Sequence, residues 1–172
     1  YFVILCSFLT TACTQKKKYR IGVSQCSEDI WREKLNDEII NSAYLYDNLT
    51  VKLVSANESD KRQAAQIDQF VKEGVDLLII SPNKNNTITP AIERAYDKGI
   101  PVVLLDRKIN SNKYTAYIGA DNVNVGRELG RYLAQKTGGK ARIVEILGLP
   151  GSSSSAERHQ GFVEALQAYP GL

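Results

Sequence analysis

The sequence has very few of the residues on which metal sites and nucleophilic catalysis depend. It contains one histidine, His159, and three cysteines among 172 residues. A zinc cluster of histidine and cysteine needs three or four ligands, and a Ser-His-Asp or Cys-His set would have to use His159. That residue falls in a segment with a helical pattern, where we expect a structural side chain. The sequence therefore predicts no catalytic site, no metal site and no cofactor.

Phosphate-binding motifs and an excess of charge are also missing. No Gly-x-Gly-x-x-Gly follows an apolar run, and the Gly148–Arg158 stretch lacks the Gly-Lys-Ser/Thr of a phosphate loop. The formal net charge is +3, but Lys16, Lys17 and Lys18 lie in a segment without acidic residues. Without those three, the 22 basic residues become 19, which equals the 19 acidic residues. A body without net charge is not expected to bind nucleic acid.

The sequence also lacks methionine, and we expect translation to start upstream of Tyr1. The apolar run Tyr1–Ala12 ends in small residues, as do the hydrophobic and cleavage regions of a secretory signal. It is shorter than the roughly 20 residues of a membrane-spanning helix, although upstream residues could lengthen it. We expect residues 1–18, called the leader below, to be a signal, lipoprotein or membrane-anchor segment, and the protein to be periplasmic and membrane-anchored. The alternative for the apolar run is a buried helix.

The cysteines point to membrane attachment through a lipid and not to disulfide bonds. Cys13 follows Leu9–Ala12, which resembles the lipobox of bacterial lipoproteins, where the cysteine is acylated. Thr10 stands where leucine is usual, so acylation and an unmodified anchor both remain open. Cys6 lies within the leader, and Cys26 then has no disulfide partner. We expect Cys26 to be a small buried thiol.

Beyond Lys18, short apolar runs alternate with segments of helical period. Each run is rich in β-branched residues or leucine and closes with polar or turn residues, as strands buried on both faces do. The predicted strands are Tyr19–Ser24, Val51–Val54, Val75–Ile80, Val102–Leu105 and Ala141–Leu147. Strand–helix alternation with short turns predicts a parallel sheet covered on both faces.

The predicted helices carry apolar residues at three- and four-residue spacing. One stripe ends before Gly74 and a second before Gly99, which are helix-stop signals. A further helix is expected over Ala156–Ala168, after the serine run. The stripes are Trp31, Leu35, Ile39, Ala43 and Tyr46, then Ala64, Ile67 and Val71, and then Ile92, Ala95 and Tyr96.

Polar residues follow most of the predicted strands, at the end of an open parallel sheet where ligands bind. Five segments in the same order along the chain resemble type I periplasmic binding proteins, the family of ribose and galactose binders. They are Tyr19–Gln25 (YRIGVSQ), Gly74–Pro82 (GVDLLIISP), Gly99–Arg107 (GIPVVLLDR), Ile118–Asn122 (IGADN) and Ala156–Phe162 (AERHQGF). The resemblance covers the chain after Lys18.

The resemblance implies an α/β fold: a doubly wound parallel sheet in a Rossmann-like lobe, paired with a second lobe that closes on a sugar. Residues 19–120 would form the N-terminal lobe and residues 121–172 the start of the C-terminal lobe. We expect the rest of that lobe beyond Leu172. Gly22–Ser27, Trp31-Arg32 and Asp106–Lys108 further resemble the periplasmic sensor region of hybrid two-component regulators from gut-type Bacteroidetes.

Asp106 and Arg107 are the ligand-binding pair that the resemblance implies. The carboxylate accepts hydrogen bonds from neighbouring sugar hydroxyls and the guanidinium donates to oxygens; the alternative is a surface ion pair at a strand end. Trp31 is expected to stack on the apolar face of a sugar ring. Because Trp31 shares a stripe with Leu35 and Ile39, packing in the core is its alternative.

The other candidates have structural alternatives as well. Ser81 and Asn83 could form a turn, Arg158 could lie on the surface, and the residues near Trp31 could be a solvated helix end. Asp121 and Asn122 are expected at the hinge and as helix-capping residues, with ligand contact as their alternative. The remaining candidates are Glu28, Arg32, Ser81, Asn83 and Arg158 for the ligand, and Asp121 and Asn122 for the hinge between lobes.

Three functions fit this reading. The first is a sugar sensor, possible as a homodimer, in which closure on a small-molecule sugar biases a kinase across the membrane. The second is a solute-binding protein of an ABC sugar importer. The third is the effector-binding core of a lactose-repressor-type regulator, which shares the fold; the leader in place of a basic helix-turn-helix argues against it.

Overall fold

The structure is a computed structural model that describes residues 17–172. The predictions for the leader and for acylation of Cys13 concern residues outside this range. From Tyr19 to Leu105, strands and helices alternate as the hydrophobic pattern indicates. The strands are β1 (Tyr19–Gln25), β2 (Leu49–Ser55), β3 (Leu77–Ile80), β4 (Val102–Leu105) and β5 (Ala116–Ile118). The helices are α1 (Ile30–Ala43), α2 (Asp60–Glu73), α3 (Asn85–Asp97), α4 (Asn122–Thr137) and α5 (Ser153–Leu166).

The five strands form one parallel sheet in the order β2-β1-β3-β4-β5. The chain leaves β1 in one direction to reach β2 and then crosses to β3 on the other side of β1. Right-handed crossovers in opposite directions place α1 on one face of the sheet and α2 and α3 on the other. The order therefore reverses at β1, and the crevice at such a point is where ligands bind in doubly wound sheets.

The hydrophobic core lies between the sheet and the α2–α3 layer. Its largest members are fully buried: Ile67, Phe70, Leu78, Ile80, Ile88, Ile92 and Leu104. The Phe70 ring lies so close to β1 that a Cβ added to Gly22 would stand 2.8 Å from it. Glycine at this position lets α2 approach the sheet. The core fixes the carboxyl ends of β1, β3 and β4 relative to one another.

The first four predicted strands and the helices between them are confirmed. Helix α2 ends at Gly74, which has the left-handed φ of 66° of a helix C-cap. Cys26 is a fully buried free thiol, as predicted. The sequence reading missed β5, a three-residue edge strand that pairs only with β4 in the described sheet. A segment this short carries no periodicity to recognise.

The predicted strand Ala141–Leu147 is wrong. The segment has no strand pairing in the structure; an isolated bridge joins Lys140, the residue before it, to Gly171. Val144 and Ile146 are 89% and 92% exposed. A β-strand needs a neighbour to satisfy its backbone hydrogen bonds, and none of the five described strands lies beside this segment.

Part of the α1 prediction is also wrong. Trp31 is 56% exposed, so it does not pack in the core, and Tyr46 lies beyond the end of the helix. Leu35 and Ile39 are half-buried against the sheet. The only buried side chain of the helix is that of Arg32. This face of the lobe is therefore built around a polar contact.

Helices α4 and α5 pack against each other at very close range. A Cβ added to Gly126 would lie 1.9 Å from the Arg158 carbonyl oxygen, and one added to Gly161 would lie 1.9 Å from that of Val123. Only glycine permits this backbone approach. Across residues 17–172, no helix is both long enough and apolar enough to cross a membrane.

Candidate functional site

The candidate site lies at the carboxyl ends of β1, β3 and β4, beside the point where the strand order reverses. The loop after β1 starts α1, because Asp29 caps that helix by accepting a hydrogen bond from the Arg32 amide at 3.0 Å. Ser81 follows β3 and Asp106 follows β4. Three separate loops thus deliver polar side chains to one edge of the sheet.

Arg32 is the centre of this polar cluster. Its side chain is 4% exposed, and its guanidinium contacts each of the three loops. Nε donates to Ser27 Oγ at 2.9 Å, Nη2 donates to Asp106 Oδ2 at 3.2 Å, and Nη1 lies 3.5 Å from Ser81 Oγ. A buried guanidinium needs such partners, because an unpaired buried charge is costly. The predicted residues Arg32, Ser81 and Asp106 are therefore brought together.

Asp106 is held in a strained conformation between two guanidinium groups. Its φ of 64° lies in the left-handed region, which costs of order 1 kcal/mol or more for a residue other than glycine. Oδ2 contacts Arg32 and also lies 3.7 Å from Arg107 Nε. The backbone is fixed by Tyr117, whose hydroxyl donates to the Asp106 carbonyl at 3.1 Å. The carboxylate is partly exposed and keeps acceptor capacity for a ligand.

Arg107 extends along the loop after β3. Its Nη1 donates to the Asn83 carbonyl at 3.1 Å. Its Nε is buried and has no hydrogen-bond partner within residues 17–172; the same holds for Gln25 Oε1 at the end of β1. Buried polar atoms are rarely left unpaired. These two atoms are therefore candidates for contact with a ligand or with ordered water.

The side-chain and backbone amides of Asn83 form hydrogen bonds within the lobe. Nδ2 donates to the Glu58 carbonyl and to Asp60 Oδ1, at 2.9 and 2.7 Å. Its backbone amide donates to Gln63 Oε1 at 2.9 Å, and Gln63 in turn donates to the Ser81 carbonyl. Both amide hydrogens of Asn83 are thus used inside the lobe, and its predicted ligand contact remains a prediction.

Trp31 and Glu28 lie at the rim of the site. The Trp31 ring is exposed at the start of α1, and the Arg32 guanidinium carbon lies 5.2 Å from the ring centroid. The cation–π contact orients the indole beside the polar cluster. Glu28 is exposed on the loop between β1 and α1. Trp31 is placed where it could meet a ligand, whereas Glu28 makes no contact with the Arg32 cluster.

The predicted hinge residues cap α4 and hold α5. The Asp121 carboxylate accepts from the Asn124 amide at 3.0 Å, which confirms the expected helix-capping role. Asn122 is buried, and its Oδ1 accepts from Arg158 Nε at 2.9 Å. Arg158 is thereby held close to the start of α4. The hinge role of Asp121 and Asn122 remains a prediction.

Arg107 and Arg158 line one cavity of about 710 Å³. Most of its walls are apolar and come from α4, α5 and the segment after Lys140. They include Val125, Leu129, Tyr132, Ile146, Leu147 and Phe162. Such walls resemble the inner face of a helix layer, so we place the candidate site at the polar edge of the cavity, where the two arginines lie.

A polar contact between residues 19–120 and residues 121–172 was not predicted from the sequence. Lys108 Nζ donates to Glu157 Oε1 at 2.9 Å, and the Lys108 amide donates to Ser153 Oγ at 2.7 Å. The hydrogen bond to Glu157 raises the pKa of Lys108. Both residues adjoin predicted site residues, Arg107 and Arg158, but nothing in the sequence indicates that they pair.

His159 lies in α5, as predicted, and Nδ1 is 2.7 Å from Glu145 Oε2. It is exposed and takes no part in the cluster around Arg32. In the part of the chain that the structure describes, no group of three histidine, cysteine, aspartate or glutamate side chains could hold a metal ion.

Comparison with known proteins assigns this arrangement to a family. The sequence model of the family "periplasmic binding protein domain" matches residues 21–172 of this chain. The chain belongs to this family. The ribose import binding protein of Bacillus subtilis is 30% identical over 169 residues, which are 90% of this chain and 55% of that protein. The chain thus spans about half the length of the curated relatives it matches.

Two solved structures share both the fold and appreciable sequence identity. The fructose-binding periplasmic domain of the hybrid two-component system BT1754 is 53% identical, with a TM-score of 0.85. The match covers 89% of this chain and 51% of that one. A galactofuranose-binding protein is 31% identical, with a TM-score of 0.77, over 89% of this chain and 53% of that one. These matches confirm the expected type I periplasmic binding fold.

Proposed function

We propose that this chain binds a monosaccharide at the Arg32–Asp106–Arg107 cluster, as part of a periplasmic sensor that signals across the membrane. The observation that carries the proposal is the Asp106 carboxylate. It is partly exposed and lies between two guanidinium groups at the carboxyl edge of the sheet, on a residue whose backbone is strained. Strain of this kind persists where surrounding contacts impose it, and it concentrates at ligand sites.

The chemistry of the cluster suits neighbouring hydroxyl groups. One Asp106 carboxylate can accept from two hydroxyls, while Arg107 Nε is a donor without a partner among the described residues. Charge-assisted hydrogen bonds of this kind are about twice as strong as neutral ones. Trp31 adds an exposed aromatic face that could cover the C–H side of a sugar ring.

Fructose is the first ligand to test. The 53% identical relative is described as fructose-binding, and the 31% identical structure as galactofuranose-binding. Fructose and galactofuranose can both present a five-membered ring. A panel should therefore contain fructose and ribose beside glucose and galactose, so that ring size and stereochemistry are separated.

The sensor role is supported by the similarity to the hybrid two-component domain. Closure on sugar would shift the population of a state that the kinase reads, by the difference in affinity between the two states. The similarity to a ribose import binding protein supports an importer component as the second candidate. An apolar span of about 20 residues and a long cytoplasmic region downstream would identify the sensor. A chain that ends after its second lobe would identify the importer component.

Membrane attachment through residues 1–18 is part of the proposal. If Cys13 is acylated, the natural protein should incorporate a fatty-acid analogue, and the Cys13→Ala variant should not. Retention in the membrane without any label would indicate an uncleaved apolar anchor instead. Release of both proteins into the soluble fraction would contradict membrane attachment.

The site is tested by Asp106→Ala in the natural full-length protein. The substitution removes hydroxyl acceptors, and hydrogen bonds to a charged group are worth about 1.5–3 kcal/mol each. We expect the dissociation constant measured by calorimetric titration to rise by at least roughly tenfold. Asp97→Ala is the matched control, because Asp97, the last residue of α3, forms an exposed ion pair with Lys113. Unchanged affinity in Asp106→Ala for every sugar that the parent binds would contradict the site assignment.

A further inference from the structure

Four exposed apolar side chains cluster where α1 turns into β2. Tyr44 and Leu45 are 90% and 81% exposed, and Ile40 and Tyr46 are about half exposed. We call these four residues the corner patch. Hydrogen bonds from the Tyr44 amide to the Ile40 carbonyl and from the Tyr46 amide to the Ala43 carbonyl fix the turn, each at 3.0 Å. The patch is therefore a defined surface, and neither the Arg32 cluster nor the sheet uses it.

The corner patch lies beside the start of the described chain. The Tyr19 amide donates to the Asn48 carbonyl at 2.8 Å, and Asn48 Nδ2 donates to the Lys17 carbonyl at 3.0 Å. Asn48 is two residues after Tyr46. Lys17 is exposed, and its ammonium lies 4.8 Å from the centroid of the Tyr19 ring. Basic and aromatic side chains thus adjoin the patch where the leader joins β1.

The length of the connection restricts what can lie opposite this surface. The apolar run Tyr1–Ala12 precedes Cys13, and only five residues separate Cys13 from Tyr19. Six extended steps cover at most about 20 Å. If either an acyl chain on Cys13 or the apolar run enters a bilayer, Tyr19 must stay within that distance of the attachment point. The edge of the lobe nearest to Tyr19 then faces the membrane.

We propose that the corner patch rests on the membrane surface and orients the domain there. The inference depends on the membrane attachment proposed above. Tyrosine places an apolar ring and a hydroxyl at the level of the lipid headgroups, and Lys16–Lys18 suit anionic headgroups. The patch lies at the amino ends of the strands, opposite the Arg32 cluster. Membrane contact therefore leaves the sugar site open to the periplasm.

Lipid photolabelling of the natural full-length protein tests this contact. The protein is placed in nanodiscs that carry one copy each, with phosphatidylethanolamine, phosphatidylglycerol and a lipid bearing a diazirine on its acyl chain. Trypsin separates the peptide Leu35–Lys52, which holds the whole patch, from Ile21–Arg32. We expect the first peptide to carry label and the second to carry little. Labelling should fall at least about threefold in Tyr44→Ser/Leu45→Ser, because binding scales with buried apolar area.

Ile30→Ser is the matched control. Ile30 is about as exposed as Tyr44 and Leu45, but it lies at the other end of α1, about 21 Å from Tyr44 along the helix. This variant should leave the labelling of Leu35–Lys52 unchanged. Thermal melting of all variants checks that the fold is intact, since surface substitutions usually shift stability by less than about 0.5 kcal/mol.

The outcomes separate this inference from its premise. A protein that is released from the membrane overturns both the attachment and the contact. A protein that stays in the membrane with Leu35–Lys52 unlabelled overturns only the contact. Leu35–Lys52 could also be labelled only in discs that hold several copies of the protein. That result would mean that contact between copies brings the patch to the lipid, and it would overturn the proposal that lipid alone orients the domain.

Discussion

Residues 19–120 and residues 121–172 are supported in different ways. The first part has a five-stranded sheet with a core of large aliphatic residues and Phe70. The second has a tight helix pair and an extended apolar segment without strand partners in the structure. Large apolar residues such as Ile146 stay exposed there. The same kind of residue stabilises one part because a neighbour covers it, and contributes little in the other because none does.

The largest expected effect is a difference in local stability between these parts. In the chain of residues 17–172, amides of β1, β3 and β4 should exchange only on global unfolding. Amides of Arg142–Leu149 should exchange with protection factors near one, because they donate no backbone hydrogen bond in that chain. Amide exchange followed by mass spectrometry measures both regions at once. Equal protection in the two regions of a monomer would contradict the comparison.

A substitution in the α4–α5 contact should destabilise residues 121–172 and leave the stability of residues 19–120 unchanged. In Gly161→Ala, the new Cβ would fall 1.9 Å from the Val123 carbonyl oxygen, and no side-chain rotation relieves that overlap. Helices α4 and α5 must move apart, at a cost of about 1–3 kcal/mol. We expect faster amide exchange in both helices and unchanged exchange in β3. Gln135→Ala, on an exposed position of α4, should leave both unchanged.

How much of the fold follows from the sequence differs between the same two parts. Strands β1 to β4 were predictable because a continuous apolar run indicates a strand buried on both faces. The identical pattern in Ala141–Leu147 gave the wrong result, since periodicity reports what a segment could bury and not whether a partner is present. Strand β5 was missed because three residues are too few to show a period.

The location of the candidate site could be predicted from the sequence, but the contacts between its side chains could not. Asp106 and Arg107 follow a strand, and the carboxyl ends of parallel strands meet at one edge, so their proximity could be expected. That Arg32 would be the buried centre could not, because an arginine in the first turn of an amphipathic helix is usually solvated. Neither the left-handed φ of Asp106 nor the Lys108–Glu157 bond has a sequence signature.

Truncation of Trp31, at the rim of the site, and of Phe70, in the core, should have different effects on stability. Trp31 is half exposed, and its contact with Arg32 is worth about 0.5–1 kcal/mol at such a site. Trp31→Ala should therefore lower the free energy of unfolding by less than about 1 kcal/mol, whereas Phe70→Ala should lower it by about 3–5 kcal/mol. Thermal melting and sugar titration of both variants make the comparison.

Affinity should change in the opposite order. If Trp31 stacks on the ligand, its truncation should weaken sugar binding by a few-fold at matched fraction folded, consistent with about 0.5–1.5 kcal/mol for an aromatic contact. Phe70→Ala should leave the affinity of the folded fraction unchanged, because Phe70 is buried away from the cluster. A stability loss in Trp31→Ala as large as that in Phe70→Ala would show that Trp31 acts as a core residue.

The smallest expected effect concerns the side-chain hydrogen bond between Lys108 and Glu157, one of the contacts between the two parts. The hydrogen bond from Lys108 to Glu157 raises the folded-state pKa of Lys108 above its ordinary value of 10.5. A raised pKa means that the protonated lysine favours the folded chain. The contribution is fully present below the unfolded-state pKa and is lost as the pH rises through the folded-state pKa. Since Lys108 is partly exposed, we expect less than about 1 kcal/mol.

The Glu157→Gln variant isolates this contribution from other groups that titrate at alkaline pH. Tyr117, whose pKa is raised by burial, lies beside Lys108 and deprotonates in the same region. The melting temperatures of parent and variant should therefore be compared between about pH 8 and pH 11, where the difference reports the Lys108–Glu157 bond. The parent should lose its advantage over Glu157→Gln as the pH rises above about 10.5. A difference that stays constant over this range would mean that the carboxylate of Glu157 stabilises the chain through contacts other than the protonated Lys108.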